Sequence, residues 1–312
     1  MKLSVIVPCF NEEGVVAETY RRLVAVMRTI ASIDSYELVF INDGSRDKTL
    51  ELLHGIADKD SSVVVVNFSR NFGHQPAVTA GLRVCTGDYA AVIDSDLQDP
   101  PELIADMLRM AINEPCNVVY AVRNTRKGES FFKLLTAKMY YRILNYISET
   151  EMPVDTGDFR LMDRKVVTAF NALGEKQKYI RGLVTWLGFK QLPIYYDREE
   201  RFAGETKYPF FKMLKFALTG LLYFSKKPLM LATNLGFLSI LIGLLLAVYT
   251  VIAKYIEPQS VVSGWASLII SVIFFGGVQL LTIGVLGAYI GNIFDEVKNR
   301  PEFVIDQVYQ KK

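Results

Sequence analysis

Two stretches, from Leu229 to Ala253 and from Ser260 to Ile293, contain no charged residue. Each outruns the ~20 apolar residues that cross ~30 Å of hydrocarbon at ~1.5 Å per residue. A chain that carries both is expected to cross a membrane twice. The link between them, Lys254 to Gly264, holds Pro258 and Gly264 and reads as the turn of a helical hairpin. Lys226 and Lys227 precede the pair, Lys298, Arg300, Lys311 and Lys312 follow it, and the link holds only Lys254. Basic residues gather on the cytoplasmic side, so both termini are expected there, on a multi-pass protein of the plasma (inner) membrane. The competing reading is a hairpin buried in a soluble core.

The expected organisation follows from these spans. Residues 1–205 form a cytoplasmic domain, 206–228 a juxtamembrane helix, 229–293 the hairpin (about 229–254 and 265–291), and 294–312 a cytoplasmic tail. In FFKMLKFALTGLLYF, Lys212, Lys215 and Thr219 share one helical face opposite Phe, Leu and Met, the pattern of a helix lying on the membrane surface. Gly284, Gly287 and Gly291 recur at near-helical spacing on the second span, where a second copy could approach. A homo-oligomer is expected, a tetramer among the options.

The bulk numbers exclude several classes. A mean hydropathy of +0.22 and 51% hydrophobic residues are high for a soluble enzyme. Lys+Arg 35 against Asp+Glu 33 leaves a charge of +2, too little to argue for a nucleic-acid partner. Cys9, Cys85 and Cys116 show no CxxC spacing, which speaks against a disulfide framework or a zinc site. With only His54 and His74 present, histidine-based catalysis is not expected. The opening MKLSVIVPCFNEE is broken by Pro8 and lacks the cleavage site of a signal peptide.

Ahead of the spans the chain alternates. LSVIVPCF, YELVFIND, VVVVNFS and YAAVID are strand-like runs, while EGVVAETYRRLVAVMRTIA and PPELIADMLRMAI have helical periodicity. Continuous apolar strands alternating with helices imply an α/β fold, a mostly parallel sheet covered on both faces. Such sheets bind ligands at the carboxyl ends of their strands. Those ends are Pro8-Cys9-Phe10-Asn11-Glu12-Glu13, Asn42-Asp43-Gly44-Ser45, Ser69-Arg70-Asn71-Phe72-Gly73 and Asp94-Ser95-Asp96. Neither GxGxxG after the first strand nor GxxxxGK[ST] occurs, which disfavours a dinucleotide fold and a P-loop. Asp47, just before a helical run, reads as a cap.

Asp94 and Asp96, two apart at a strand end, can turn to the same side. Hard oxygen ligands without histidine or cysteine suit Mg²⁺ or Mn²⁺. An ion held by so few protein groups completes its shell with substrate phosphates and water, so the cluster reads as a cation site that grips a diphosphate.

PCFNEE, FINDGSRDKT, FSRNFGHQPA, DSDLQDP, TGDFRLMDRKV and RFAGETKY, in this order and followed by two spans, resemble the family-2 (GT-A fold, Rossmann-like) polyisoprenyl-phosphate glycosyltransferases. The likeness is greatest to the bacterial GtrB-type bactoprenol glucosyltransferases, which are related to dolichol-phosphate mannose synthases. It covers nearly the whole chain. It implies a UDP-sugar donor, an undecaprenyl-phosphate acceptor within the membrane lipid, and inversion at the anomeric carbon. By that resemblance Pro8, Asn11 and Glu12 frame the nucleoside pocket and Asp43 receives the uracil or ribose. Asp94, Asp96 and Gln98 bind the metal, and Arg201 and Lys207 clamp phosphates. Thr206 stands where the family often has serine and keeps the hydroxyl. The alternatives are Gln98 as a helix cap and Arg201 as a solvated loop charge.

The acceptor shapes the expected mechanism. A phosphate monoester has a second pKa near ~6 and is mostly a dianion at neutral pH, so it needs no general base. Arg123, Arg126, Lys127 or Arg160 would draw in the lipid phosphate. Asp158, at the position often taken as the catalytic acid or base of this fold, is expected to orient the donor sugar or an arginine instead of removing a proton. A processive polysaccharide synthase of the same fold would carry QxxRW, which YIRGLVTWLGF does not match. A non-catalytic adaptor or flippase partner would not need Asp43, Asp94, Asp96, Asp158 and Arg201 together.

Overall fold

The computed structural model describes residues 1–123, 156–176, 178–197, 227–256 and 264–311. The four apolar runs fold as β1 (Lys2–Cys9), β2 (Ser35–Asn42), β3 (Val63–Phe68) and β4 (Tyr89–Val92). Helices α1 (Val16–Thr29), α2 (Thr49–Ala57), α3 (His74–Val84) and α4 (Leu103–Asn113) separate and follow them. β5 (Val118–Arg123), β6 (Thr156–Asp163), α5 (Arg164–Asn171), α6 (Ile180–Trp186) and β7 (Gln191–Tyr196) complete this part. Two long helices, α7 (Lys227–Ile256) and α8 (Trp265–Val297), precede the last strand, β8 (Ile305–Tyr309).

One eight-stranded sheet results, ordered β7-β5-β6-β4-β1-β2-β3-β8. β1 pairs in parallel with β2 and β4, β2 with β3, and β5 with β7. β6 runs antiparallel to β4 and β5, and β8 antiparallel to β3. The sheet is therefore mostly parallel, with two reversed strands. Side-chain alternation sends Leu3, Val5, Val7 and Cys9 into one core with Leu23 and Met27 of α1 and Met107 of α4. Ile6 and Ile41 meet α3 on the other face, and a Cβ on Gly81 would lie 2.3 Å from Ile6 Cγ2. Glycine there lets α3 settle on the sheet. Each fully buried aliphatic side chain contributes about 1.5–3 kcal/mol, which is why both faces are closed.

The described chain divides into two compact units. One is built on the sheet and includes the residues from Arg300 onward; the other is built on α7 and α8. Within the second unit Phe275 lies against Gly243, and the Tyr289 hydroxyl reaches the Leu229 backbone, the pattern of an antiparallel hairpin. Of the apolar window Leu229–Leu246 only 11% is buried, and of Ser271–Val297 none. Two helices long and apolar enough to cross a membrane thus stand exposed, unlike a hairpin enclosed in a soluble core. Around Gly284, Gly287 and Gly291 an added Cβ would meet nothing within 4 Å.

Within the stretch read as the tail, α8 runs on to Val297, and residues 305–309 form an edge strand of the sheet. The juxtamembrane helix, with Lys212 and Lys215, lies outside the described residues.

Candidate active site

The strand ends of β1, β2 and β3 are knitted together loop to loop. Asn11 adopts a left-handed backbone, φ 56°. Its N–H donates to Ser45 Oγ at 3.0 Å, and its Oδ1 accepts from the Arg46 N–H at 2.9 Å. The Glu12 N–H donates to Thr49 Oγ1 at 2.8 Å. Asp47 accepts from the Glu13 N–H at 3.1 Å and from the Thr49 N–H at 3.0 Å, which caps the start of α2 as expected. Gly44, φ 64°, passes so close to the next loop that a Cβ would sit 2.4 Å from the Arg70 carbonyl carbon. Both the conformation and the space demand glycine.

Between these loops opens a cleft of about 520 Å³, walled by Phe10, Asn11, Arg46, Asn67 and Arg70 among others. That is the size of a small-molecule site. Asn42 also lines it; its amide donates to Asn67 Oδ1 at 2.8 Å, while its own Oδ1 is buried without a partner among the described residues. Of the four expected nucleoside residues, only Asn11 belongs to this wall. Pro8 is buried inside β1.

Asp43, expected to receive the base or ribose, has another engagement. Its carboxylate accepts from the N–H groups of Phe72 (2.6 Å) and Gly73 (2.9 Å) and from the Asn71 amide (2.8 Å). Only 3% exposed, it staples the β2 end to the β3–α3 loop. Burial raises its pKa, partly offset by those two N–H bonds.

The antiparallel register that pairs Val92 with Arg160 carries Asp158 opposite Asp94. Around Asp158 the structure gathers three donors. Arg181 Nε lies 2.8 Å from Oδ1, while the Gln75 amide (2.9 Å) and His74 Nε2 (3.1 Å) reach Oδ2. His74 Nε2 also stands 3.6 Å from Asp94 Oδ1, so one imidazole bridges the two acids. Burial opposes the charge of Asp158, but Arg181 and His74 overcome it and hold the carboxyl far below the usual range. Burial would likewise lower His74, but Asp158 and Asp94 raise it to about 9, so it is an imidazolium at neutral pH. Asp94 is pushed up to about 6 by burial, with His74 opposing and Asp99, Asp158 and Asp96 adding to the rise.

The expected phosphate-binding cations separate into three groups. Arg160 is 3% exposed, its guanidinium donating to the Gly157 carbonyl at 3.2 Å. Burial lowers its pKa to about 10. It lies buried on β6 beside Asp158, whereas the expectation places it at the acceptor phosphate. Arg123 donates to the Tyr196 hydroxyl at 3.2 Å and lies 3.7 Å from Asp99, to which Tyr196 also hydrogen-bonds. Arg126, Lys127, Arg201 and Lys207, with Thr206, lie outside the described residues.

His74 joins this cluster, although the scarcity of histidine had drawn no attention to it. It opens α3 inside FSRNFGHQPA, a segment already marked as a strand end, and that position was the available signal. Gln75 lies in the same segment, whereas Arg181 gave no signal.

For a divalent ion the fit is to a partial shell. Among the described residues no three His, Cys, Asp or Glu side chains form a ready cage. Asp94 and Asp96 offer hard oxygens, and the Gln98 N–H bonds Asp96 Oδ1 at 3.1 Å, with Leu97 between them at φ 58°. Two carboxylates leave most of the shell to water and phosphates, the habit of Mg²⁺ at phosphate-transfer sites.

Comparisons with known proteins bear on the family and the fold. The sequence pattern described as Glycosyl transferase family 2 matches residues 4–170. The chain is 49% identical to the glycosyltransferase YkcC of Bacillus subtilis, over 99% of this chain and 94% of that one. It is 37% identical to the prophage bactoprenol glucosyl transferase homolog of Escherichia coli, over 99% of each. Among solved structures, glucosyl-3-phosphoglycerate synthase from Mycobacterium tuberculosis, in complex with Mn²⁺, UDP and phosphoglyceric acid, matches with a TM-score of 0.52. It is 19% identical and covers 71% of this chain and 78% of that one, a likeness of the GT-A fold.

Proposed function

The chain belongs to glycosyl transferase family 2 and is a glycosyltransferase, and from that premise we propose that it moves a hexose, glucose first, from a UDP-sugar to undecaprenyl phosphate. Transfer takes place on the cytoplasmic face of the membrane with inversion at the anomeric carbon.

The observation that carries this reading is the state of Asp158. A carboxylate clasped by Arg181 at 2.8 Å and by His74 at 3.1 Å is too weakly basic to deprotonate a sugar hydroxyl. An acceptor that is already ionised has no such need, and a phosphate monoester is mostly a dianion at neutral pH. Its oxygen bonds the anomeric carbon as the carbon–oxygen bond to the diphosphate breaks, and the electron pair leaves with UDP. No proton has to move.

Asp158, by holding Arg181 and His74, keeps two cations beside the reacting phosphates and so acts through them. Asp94 and Asp96, with Gln98, would hold Mg²⁺ or Mn²⁺, which when bound offsets the charge of the departing diphosphate. Asn11 on the cleft wall would meet the nucleoside, with Pro8, Glu12 and Asp43 shaping the loops around it. Arg201 and Lys207 would clamp the donor phosphates, and Arg126 and Lys127 would meet the lipid phosphate.

The bactoprenol relatives and the two exposed apolar helices support a lipid acceptor. Chain return supports the topology: after α8 the backbone rejoins the sheet as β8, so two crossings bring both flanks of the hairpin to one side. The test is to incubate membranes containing the protein with undecaprenyl phosphate and a panel of labelled UDP-sugars. Label in organic-extractable lipid is expected, and its absence with every sugar would overturn the reading.

A further inference from the structure

Residues 302–306 lie five positions beyond the end of α8, and their contacts reach both halves of the site. On one side, Glu302 Oε1 accepts from Lys178 Nζ at 2.9 Å and from Arg83 at 2.8 Å. The Glu302 and Lys178 side chains are 4% and 1% exposed. A buried pair of this kind is strongly disrupted when one partner is removed. Lys178 lies at the threshold of α6. Two residues on, the Ile180 N–H donates to Gln75 Oε1 at 3.0 Å, and Arg181 and Gln75 both bond Asp158. Glu302 therefore anchors the segment that aims Arg181.

On the other side, the same five residues hold three consecutive members of the cleft wall. Asp306 accepts from the Asn67 amide at 3.2 Å, Phe303 stacks on Phe68 at 5.1 Å, and the Val304 carbonyl accepts from the Ser69 N–H at 3.1 Å. Asn67 in turn receives the Asn42 amide, and Phe68 meets Phe72 edge-on at 5.7 Å, next to the N–H that Asp43 holds. The contacts combine specific polar bonds with one aromatic stack, Phe303 on Phe68.

Resting on the transfer reaction proposed above, we infer that residues 302–306 are a clasp through which the segment after α8 sets the active site. Glu302 is the positioning residue for the Asp158–Arg181 cluster, and Phe303 with Asp306 positions the donor cleft. The two arms act on different steps, which separates positioning from general support of the fold.

The experiment uses the full chain in membranes and reads kcat and donor KM per folded molecule, together with UDP affinity by calorimetry in Mn²⁺. Glu302→Gln is expected to lower kcat roughly tenfold or more with donor KM kept within about twofold, because small misplacements of reacting groups are costly. Lys178→Met is expected to reproduce it, and the double variant to be no worse than either. Phe303→Leu and Asp306→Ala are expected to raise donor KM and weaken UDP binding several-fold with kcat retained. Unchanged kcat in Glu302→Gln, or equal losses in both arms that follow the melting temperature, would overturn the clasp. A silent wild type that still binds UDP would overturn lipid transfer instead; unchanged UDP affinity in Phe303→Leu would then overturn the clasp by itself.

Discussion

Asp94, two residues past the end of β4, and Asp158 on β6 share His74 as a neighbour and are driven in opposite directions. Asp158 meets Arg181, His74 and Gln75 and is held ionised. Asp94 is pushed up to about 6 by burial, with His74 opposing and Asp99, Asp158 and Asp96 adding to the rise. The same residue type serves two ends because environment, not identity, sets its charge. The satisfied acid arranges cations; the crowded acid calls for one more. On the proposed function, that division separates a scaffold for the acceptor's charge from a seat for a divalent ion.

The largest effect should come from emptying the crowded side. Asp96→Asn is expected to cut transfer to lipid roughly a thousandfold, the scale of a lost transition-state charge contact, and chelation of divalent ions should do the same to the wild type. Next is the opposite side. Arg181→Met leaves Asp158 buried without its first partner, and unfolding experiments should show a loss of about 3 kcal/mol. Asp158→Asn tests the contrast directly. Turnover should fall by roughly ten- to a hundredfold and the pH–rate profile should keep its shape, since this acid does not titrate in the working range. An inert Asp158→Asn matched by a wild-type limb at a carboxylate pKa would show that Asp158 is a base.

The smallest effect lies away from the site and serves as a control. Glu37 accepts from Lys2 Nζ (2.7 Å), Ser4 Oγ (2.6 Å) and the Thr86 N–H (2.6 Å). Burial alone would raise its pKa, but these bonds together lower it. Its stabilisation is therefore full above the unfolded value of ~4.3 and is lost as pH falls through the lower folded value. Glu37→Gln should cost about 1 kcal/mol at pH 7 and nothing in strong acid, with turnover unchanged. Denaturant melts at the two pH values check it.

Legibility in the sequence followed the range of each interaction. Strands β1 to β4 appear as unbroken apolar runs, and α7 and α8 as charge-free lengths, because burial and hydrocarbon thickness act on contiguous residues. Asp94 and Asp96 stood out because both lie in one short segment. Asp47 was legible as a cap through its position before Thr49. By contrast, His74 and Gln75 find Asp158 across more than eighty residues, and no local pattern announces that. Arg160 was expected to draw in the lipid phosphate, and its burial on β6 is set by elements packed around the strand that no local pattern announces. β8 escaped notice because IDQVY is short and mixed, and an edge strand needs only one partner.

What the sequence alone determined is the class of fold, the pair of apolar helices and the acidic end of the fourth strand. Each depends on residues adjacent along the chain, where covalent order dictates spacing. The tertiary structure decided in which direction each acid is shifted, which arginine is buried, and where the chain returns after α8. Those outcomes depend on charges and hydrogen bonds between segments far apart in sequence, and only the folded sheet brings them within reach.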